Sequence, residues 1–142
     1  MSSDAVRIDG HQHFWTLRRE DYGWLTPDLE PLYRDFLPED LEPLLDQAGI
    51  DRTVLVQAAA TTDETRYLLD IAEHQPIVAG IVGWIDMDSP IAAIRALDEF
   101  AAHAKFVGIR PMIQDIDNPA WVDRPELGTV LNTLVERSVC FD

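Results

Sequence analysis

Ile77-Val78-Ala79-Gly80-Ile81-Val82-Gly83-Trp84-Ile85 is almost wholly apolar. A strand with one face in water alternates apolar and polar side chains. A continuous apolar run belongs instead to a strand covered on both faces, as in a parallel sheet flanked by helices. The pattern recurs to either side. Thr53-Val54-Leu55-Val56-Gln57 precedes it and Phe106-Val107-Gly108-Ile109-Arg110 follows it, each apolar up to a polar last residue.

Amphipathic segments separate these strands. Pro38-Glu39-Asp40-Leu41 opens a helix, with proline suited to a first turn and acids complementing the helix dipole. Leu41, Leu44, Leu45 and Ala48 mark its expected buried face, and Gly49 is the stop signal. Thr62 or Asp63 is the expected cap of a second helix that buries Tyr67, Leu68, Ile71 and Ala72. Ser89-Pro90 starts a third, carrying Ile91, Ile94, Leu97, Phe100 and Ala101 inward. Residues 125–137 read as a fourth, with Leu127, Val130, Leu131 and Leu134 inward. Residues 5–9 read as the first strand, and Val139-Cys140-Phe141 begins a fifth, with Cys140 as a buried small hydrophobe.

This alternation predicts an α/β chain with a parallel sheet. No glycine-rich phosphate fingerprint follows the first strand, which argues against a dinucleotide-binding fold. A (β/α) barrel fits better. A closed barrel takes about 250 residues, whereas these 142 residues supply about four βα units plus the start of a fifth strand. The expectation is the N-terminal half of a (β/α)8 TIM barrel: one partial domain over residues 1–142, cut at its C-terminal end.

Barrels keep their chemistry at the C-terminal ends of the strands. Polar residues gather there: His11 and His13 after strand one, Gln57 after two, Trp84 and Asp86 after three, Arg110 and Gln114 after four. Asp9-Gly10-His11-Gln12-His13 is the most specific of these stretches. Side chains two apart in a strand share a face, so the two imidazoles aim at one point just beyond the strand. Such a pair suits a divalent metal or the polar end of a substrate, although a catalytic zinc usually takes three protein ligands. The following loop, residues 11–37, is too rich in Trp15, Tyr22, Trp24 and Tyr33 to be a flexible linker, and a loop of this length inside a domain is usually functional.

The formal net charge is −15, and Lys105 is the only lysine. Such a surface repels phosphate backbones and anionic lipid, so neither nucleic acid nor a membrane is the expected partner. A single cysteine excludes an internal disulfide and fits a reducing compartment. The N-terminus shows no basic, apolar leader, and a cytoplasmic location is the expectation.

Five segments in order carry a family resemblance. They are Ile8-Asp9-Gly10-His11-Gln12-His13-Phe14-Trp15, Arg34-Asp35-Phe36-Leu37-Pro38-Glu39-Asp40-Leu41, Val54-Leu55-Val56-Gln57-Ala58, Val78-Ala79-Gly80-Ile81-Val82-Gly83-Trp84-Ile85-Asp86 and Gly108-Ile109-Arg110-Pro111-Met112-Ile113-Gln114-Asp115. Together they resemble the amidohydrolase superfamily, in the branch of TIM-barrel metal-dependent hydrolases that includes lactonases of L-fuconolactone and L-rhamnonolactone. The resemblance implies hydrolysis of a sugar-acid lactone. It implies that His11 and His13 are the strand-one pair that holds a divalent, zinc-like ion or contacts substrate directly. Arg110 matches an arginine that anchors a lactone carbonyl or carboxylate by a forked contact. Trp15, Trp24 and Trp84 are the expected apolar walls for a sugar ring, with Gln114 a further substrate contact. For Arg110 the plainer alternative is an ion pair with Asp86 or Asp115. The family's water-activating aspartate, at the end of the eighth strand, falls beyond Asp142, so no catalytic base is assigned and the chain alone is expected to be inactive. Two other functions stay open: a related decarboxylase or carboxylic-ester hydrolase, and a non-catalytic half-barrel module that self-associates through open strand edges.

Overall fold

The computed structural model describes residues 5–142; Met1-Ser2-Ser3-Asp4, on which the reading of the N-terminus falls, lie outside the described residues. Five strands pair in chain order, all parallel: β1 (Ile8–Gln12), β2 (Arg52–Val56), β3 (Val78–Gly83), β4 (Phe106–Ile109) and β5 (Cys140–Phe141). Helices α1 (Pro38–Ala48), α2 (Thr62–His74), α3 (Pro90–Phe100) and α4 (Gly128–Glu136) carry the chain back between them. Strands in sequential order with helical crossovers curl into half of a TIM barrel, as the apolar runs predict.

The core lies between sheet and helices. Leu55, Ile81 and Ile109 are fully buried with Leu68 and Ala72 of α2, Leu97 and Phe100 of α3, and Val130 of α4. Each of these side chains larger than alanine stabilises the fold by roughly 1.5–3 kcal/mol. Two helix faces differ from expectation. In α3 the buried set is Ala93, Ala96, Leu97 and Phe100, while Ile91 is 71% exposed. That set is a regular i, i+3, i+4, i+7 stripe, and its alanines let the helix lie close to the sheet. In α1 only Pro38 and Leu45 are buried and Leu41 partly so; Leu44 and Ala48 are exposed, since α1 follows the edge strand β1. Cys140 is exposed rather than buried, since β5 is the other edge strand.

Helix α2 is capped by Thr61, one residue earlier than expected; its hydroxyl accepts the Glu64 N–H at 3.0 Å. One turn in, the Thr65 hydroxyl both accepts from the Trp84 N–H (2.8 Å) and donates to the Trp84 carbonyl (2.9 Å). This clamp brings α2 against the end of β3 so closely that a Cβ on Gly83 would lie 2.5 Å from Thr65 Cγ2 and 2.9 Å from its Oγ1. Gly83→Ala is therefore expected to cost about 1–3 kcal/mol. Gly10→Ala, where nothing lies within 4 Å, is the control. Urea unfolding checks both, and a Gly83→Ala midpoint equal to that of the control contradicts the close-packing account.

Candidate active site

Strand β1 runs three residues later than the apolar signal suggests. Val6 and Ile8 stay exposed, and backbone pairing to β2 holds the strand instead, with Ile8 opposite Arg52, Asp9 opposite Thr53 and Gln12 opposite Leu55. His11 therefore lies within β1 and His13 one residue past it, rather than both beyond the end. The imidazoles still converge. Their Nε2 atoms are 3.3 Å apart, and the rings meet edge to face at 83°.

A backbone carbonyl sets the tautomer of His13. Its Nδ1 lies 2.8 Å from the Val56 oxygen. A carbonyl only accepts, so Nδ1 carries the proton and Nε2 presents a lone pair toward His11. Burial holds His13 below the ordinary histidine value of 6.5, and the charges of His11 and Arg110 add to this against the Val56 contact. Arg110 Nη1 is 3.4 Å from His11 Nε2. Among the described residues no carboxylate pairs with Arg110, so the ion pair with Asp86 or Asp115 does not form. Gln57, buried at the end of β2, donates from Nε2 to the Arg110 carbonyl at 2.9 Å and steadies the base of that side chain.

His13 and Arg110 open onto a cleft of about 390 Å³, with Trp15, Trp24, Leu32, Ala58, Met112, Gln114 and Asp115 as its other walls. The structure thus brings together five of the residues singled out in the sequence: His13, Arg110, Trp15, Trp24 and Gln114. His11 stands behind His13, in contact with it and with Arg110. Trp84 does not join them; it lines a neighbouring cleft with Asp86, Asp88 and Trp121. The two tryptophan walls are fixed by their indole nitrogens. Trp15 Nε1 donates to the Arg34 carbonyl at 2.9 Å and Trp24 Nε1 to the Ala58 carbonyl at 2.8 Å. Their rings meet edge to face at 5.4 Å. Met112 and Asp115 are additions that sequence reasoning did not place in the site. Met112 has a left-handed backbone, φ 56°. Such a conformation is uncommon for a residue with a side chain and clusters at functional sites, but no sequence pattern announces it.

Residues 8–142 match the amidohydrolase family. The chain belongs to that family. It is 44% identical over 138 residues to the L-fucono-1,5-lactonase of Burkholderia ambifaria, covering 97% of this chain and 47% of that protein. An amidohydrolase of Burkholderia multivorans crystallised with bound HEPES superimposes with a TM-score of 0.89 at 34% identity, over 97% of this chain and 48% of the other. A second crystal form of a Burkholderia multivorans amidohydrolase, with bound zinc, gives a TM-score of 0.85 at 35% identity with the same coverage. The chain spans about half the length of the relatives it matches.

The donors of this amidohydrolase segment fit a zinc ion only in part. Two nitrogens on one tetrahedral zinc lie about 3.3 Å apart, and His11 and His13 meet that separation. The Val56 carbonyl holds the far nitrogen of His13 as an outer partner does in such sites. No group of three or more His, Cys, Asp or Glu converges among the described residues, and the Arg110 guanidinium brings a positive charge beside the pair. The pair offers two nitrogens at the spacing of two ligands, and the described residues supply no third.

The His13 environment predicts its titration. By ring NMR, His13 is expected to protonate below 6.5, and His74 above it, raised by its contact with the Asp70 carbonyl. Folded His13 resists a proton that the unfolded chain accepts. Its contribution to stability is therefore lost as pH falls from about 6.5 toward the folded value, and regained as pH rises. A His13 that titrates above His74 contradicts the half-buried, Nδ1-protonated assignment.

Proposed function

We propose that the protein carrying this chain hydrolyses a sugar-acid lactone, of the fuconolactone or rhamnonolactone kind, by attack of water on the ring ester at this rim. The single observation that carries this reading is the placement of a neutral His13 and of Arg110, which pairs with no carboxylate among the described residues, on one cleft walled by Trp15 and Trp24. The name of the 44%-identical relative supports it.

The parts suit the chemistry. A lactone has an apolar ring face, for which Trp15 and Trp24 provide a wall, and a carbonyl that gains negative charge when water adds. The Arg110 guanidinium is a rigid fork of donors that strengthens its hold as that charge develops. His13 Nε2 takes and returns a proton without gaining a buried charge at rest. Gln114 and Asp115 offer polar contacts to ring hydroxyls. Where a divalent ion is bound, the Nε2 lone pairs of His11 and His13 would hold it, His13 then carrying no proton there, and the ion would supply Lewis-acid polarisation of the carbonyl. The water-activating base that the family resemblance implies lies on a later strand than β5.

A panel of sugar-acid lactones tests the reading in the protein that carries this sequence. Turnover of a deoxy-sugar lactone is the expected result. Arg110→Ala is expected to lower kcat/KM by about 100-fold or more, and Arg110→Lys to restore little, because a point charge replaces a fork. A folded protein that opens no lactone, or an Arg110→Ala variant with wild-type kcat/KM, contradicts it. His11→Ala and His13→Ala are expected to be non-additive, since the rings act as one unit; a double variant as impaired as the product of the singles argues for independent roles.

A further inference from the structure

Among the described residues Glu64 is the one fully buried carboxylate, and the chemistry above makes no use of it. Its oxygens are fully engaged. Oε1 accepts the Ala58 N–H at 3.0 Å. Oε2 accepts the Tyr22 hydroxyl at 2.8 Å and lies 3.3 Å from Arg19 Nε. Two of these contacts lead to the cleft wall. Ala58, held by Glu64 at its nitrogen, accepts the Trp24 indole N–H at its own carbonyl. Tyr22 precedes Trp24 by two residues, and the two rings meet at 6.4 Å. Glu64 thus grips Trp24 from two sides, through the Ala58 backbone and through Tyr22.

Burial opposes the charge on Glu64, partly offset by the Ala58 N–H, the Tyr22 hydroxyl and Arg19. An apolar residue would fill the same volume without that cost, but would leave the Ala58 N–H and the Tyr22 hydroxyl unpaired. The arrangement therefore aims groups rather than packs them. Thr61, capping α2 on the Glu64 N–H, fixes where the carboxylate starts from.

We propose that Glu64 is a positioning residue that aims the Trp24 indole into the cleft, and so selects lactone rings by the face or methyl group they lay against it. The proposal rests on the lactone reading above. A wall held at one angle discriminates between a methyl-bearing ring and its hydroxymethyl counterpart; a loosened wall accepts both.

The test uses the protein that carries this sequence, with Glu64→Gln as the main variant. Glutamine keeps the size and one acceptor for the Ala58 N–H, but replaces the oxygen that Tyr22 and Arg19 share. Tyr22→Phe, which removes one donor and keeps the ring, provides the same readouts if Glu64→Gln does not fold. Two quantities are measured. One is solvent exchange of the Trp24 indole proton by NMR, assigned with Trp24→Phe. The other is the ratio of kcat/KM for a 6-deoxy lactone over its hydroxymethyl counterpart. Expected are indole exchange at least tenfold faster and a ratio lowered roughly five- to tenfold, through KM more than kcat. A variant with a merely weakened fold would lower both substrates equally and leave the ratio alone, which overturns the proposal. Unchanged indole exchange in a folded variant overturns it too. Should the wild-type protein open no lactone while indole exchange still accelerates, the lactone reading fails and ring selection with it, whereas the placement of Trp24 by Glu64 is upheld.

Discussion

Parallel pairing in chain order is the constraint on which the rest depends. A parallel strand must be reached by a crossover, so every strand ends on the same rim of the sheet. Here that rim receives His11 and His13 from β1, Gln57 and Ala58 from β2, and Arg110 from β4. His11 and Arg110, 99 residues apart in the chain, come within 3.4 Å at the rim. The register of β1 on β2 also sets Val56 beside His13, so the ladder that builds the sheet also chooses the ring tautomer.

The second layer of organisation is the long segment between β1 and α1. It gives Phe14 to the main core and otherwise forms a small cluster with Ala58 and Ala59 from the loop after β2: Trp15 and Tyr22, with Leu25 and Phe36 packed on them. An antiparallel bridge between Trp15 and Phe36 closes it. Polar contacts do the rest. Arg19 pairs with Asp21 and approaches Glu64, and Thr61 donates to Asp21. The segment's aromatic rings are therefore held at defined angles, which a wall for a ring-shaped ligand requires.

The sheet order is legible because the runs within residues 53–57, 77–85 and 106–110 are apolar up to their polar ends, without the alternation of a strand that has one face in water. The extent of β1 is not, because Gly10, His11 and Gln12 carry no strand preference and are held by the neighbouring ladder. In α3 the large Ile91 faces solvent and the small Ala93 packs inside, so the periodic stripe is a better signal than side-chain size. At the site, His13, Arg110, Trp15, Trp24 and Gln114 meet as their positions at strand ends imply. Trp84 turned to a neighbouring cleft, because the Thr65 clamp fixes its backbone where its side chain points away. Met112 and Glu64 were hidden for different reasons. The first depends on a left-handed turn, and the second reads as an ordinary acid in a first helical turn until its burial is seen.

A crystal structure of the protein with the open sugar acid bound tests the central claim most directly. The account predicts the acid's carboxylate on the Arg110 guanidinium, a sugar hydroxyl donating to His13 Nε2, and the carbon chain lying along Trp24. A sugar acid bound away from this cleft, or an Arg110 turned aside to pair with Asp115, would contradict it.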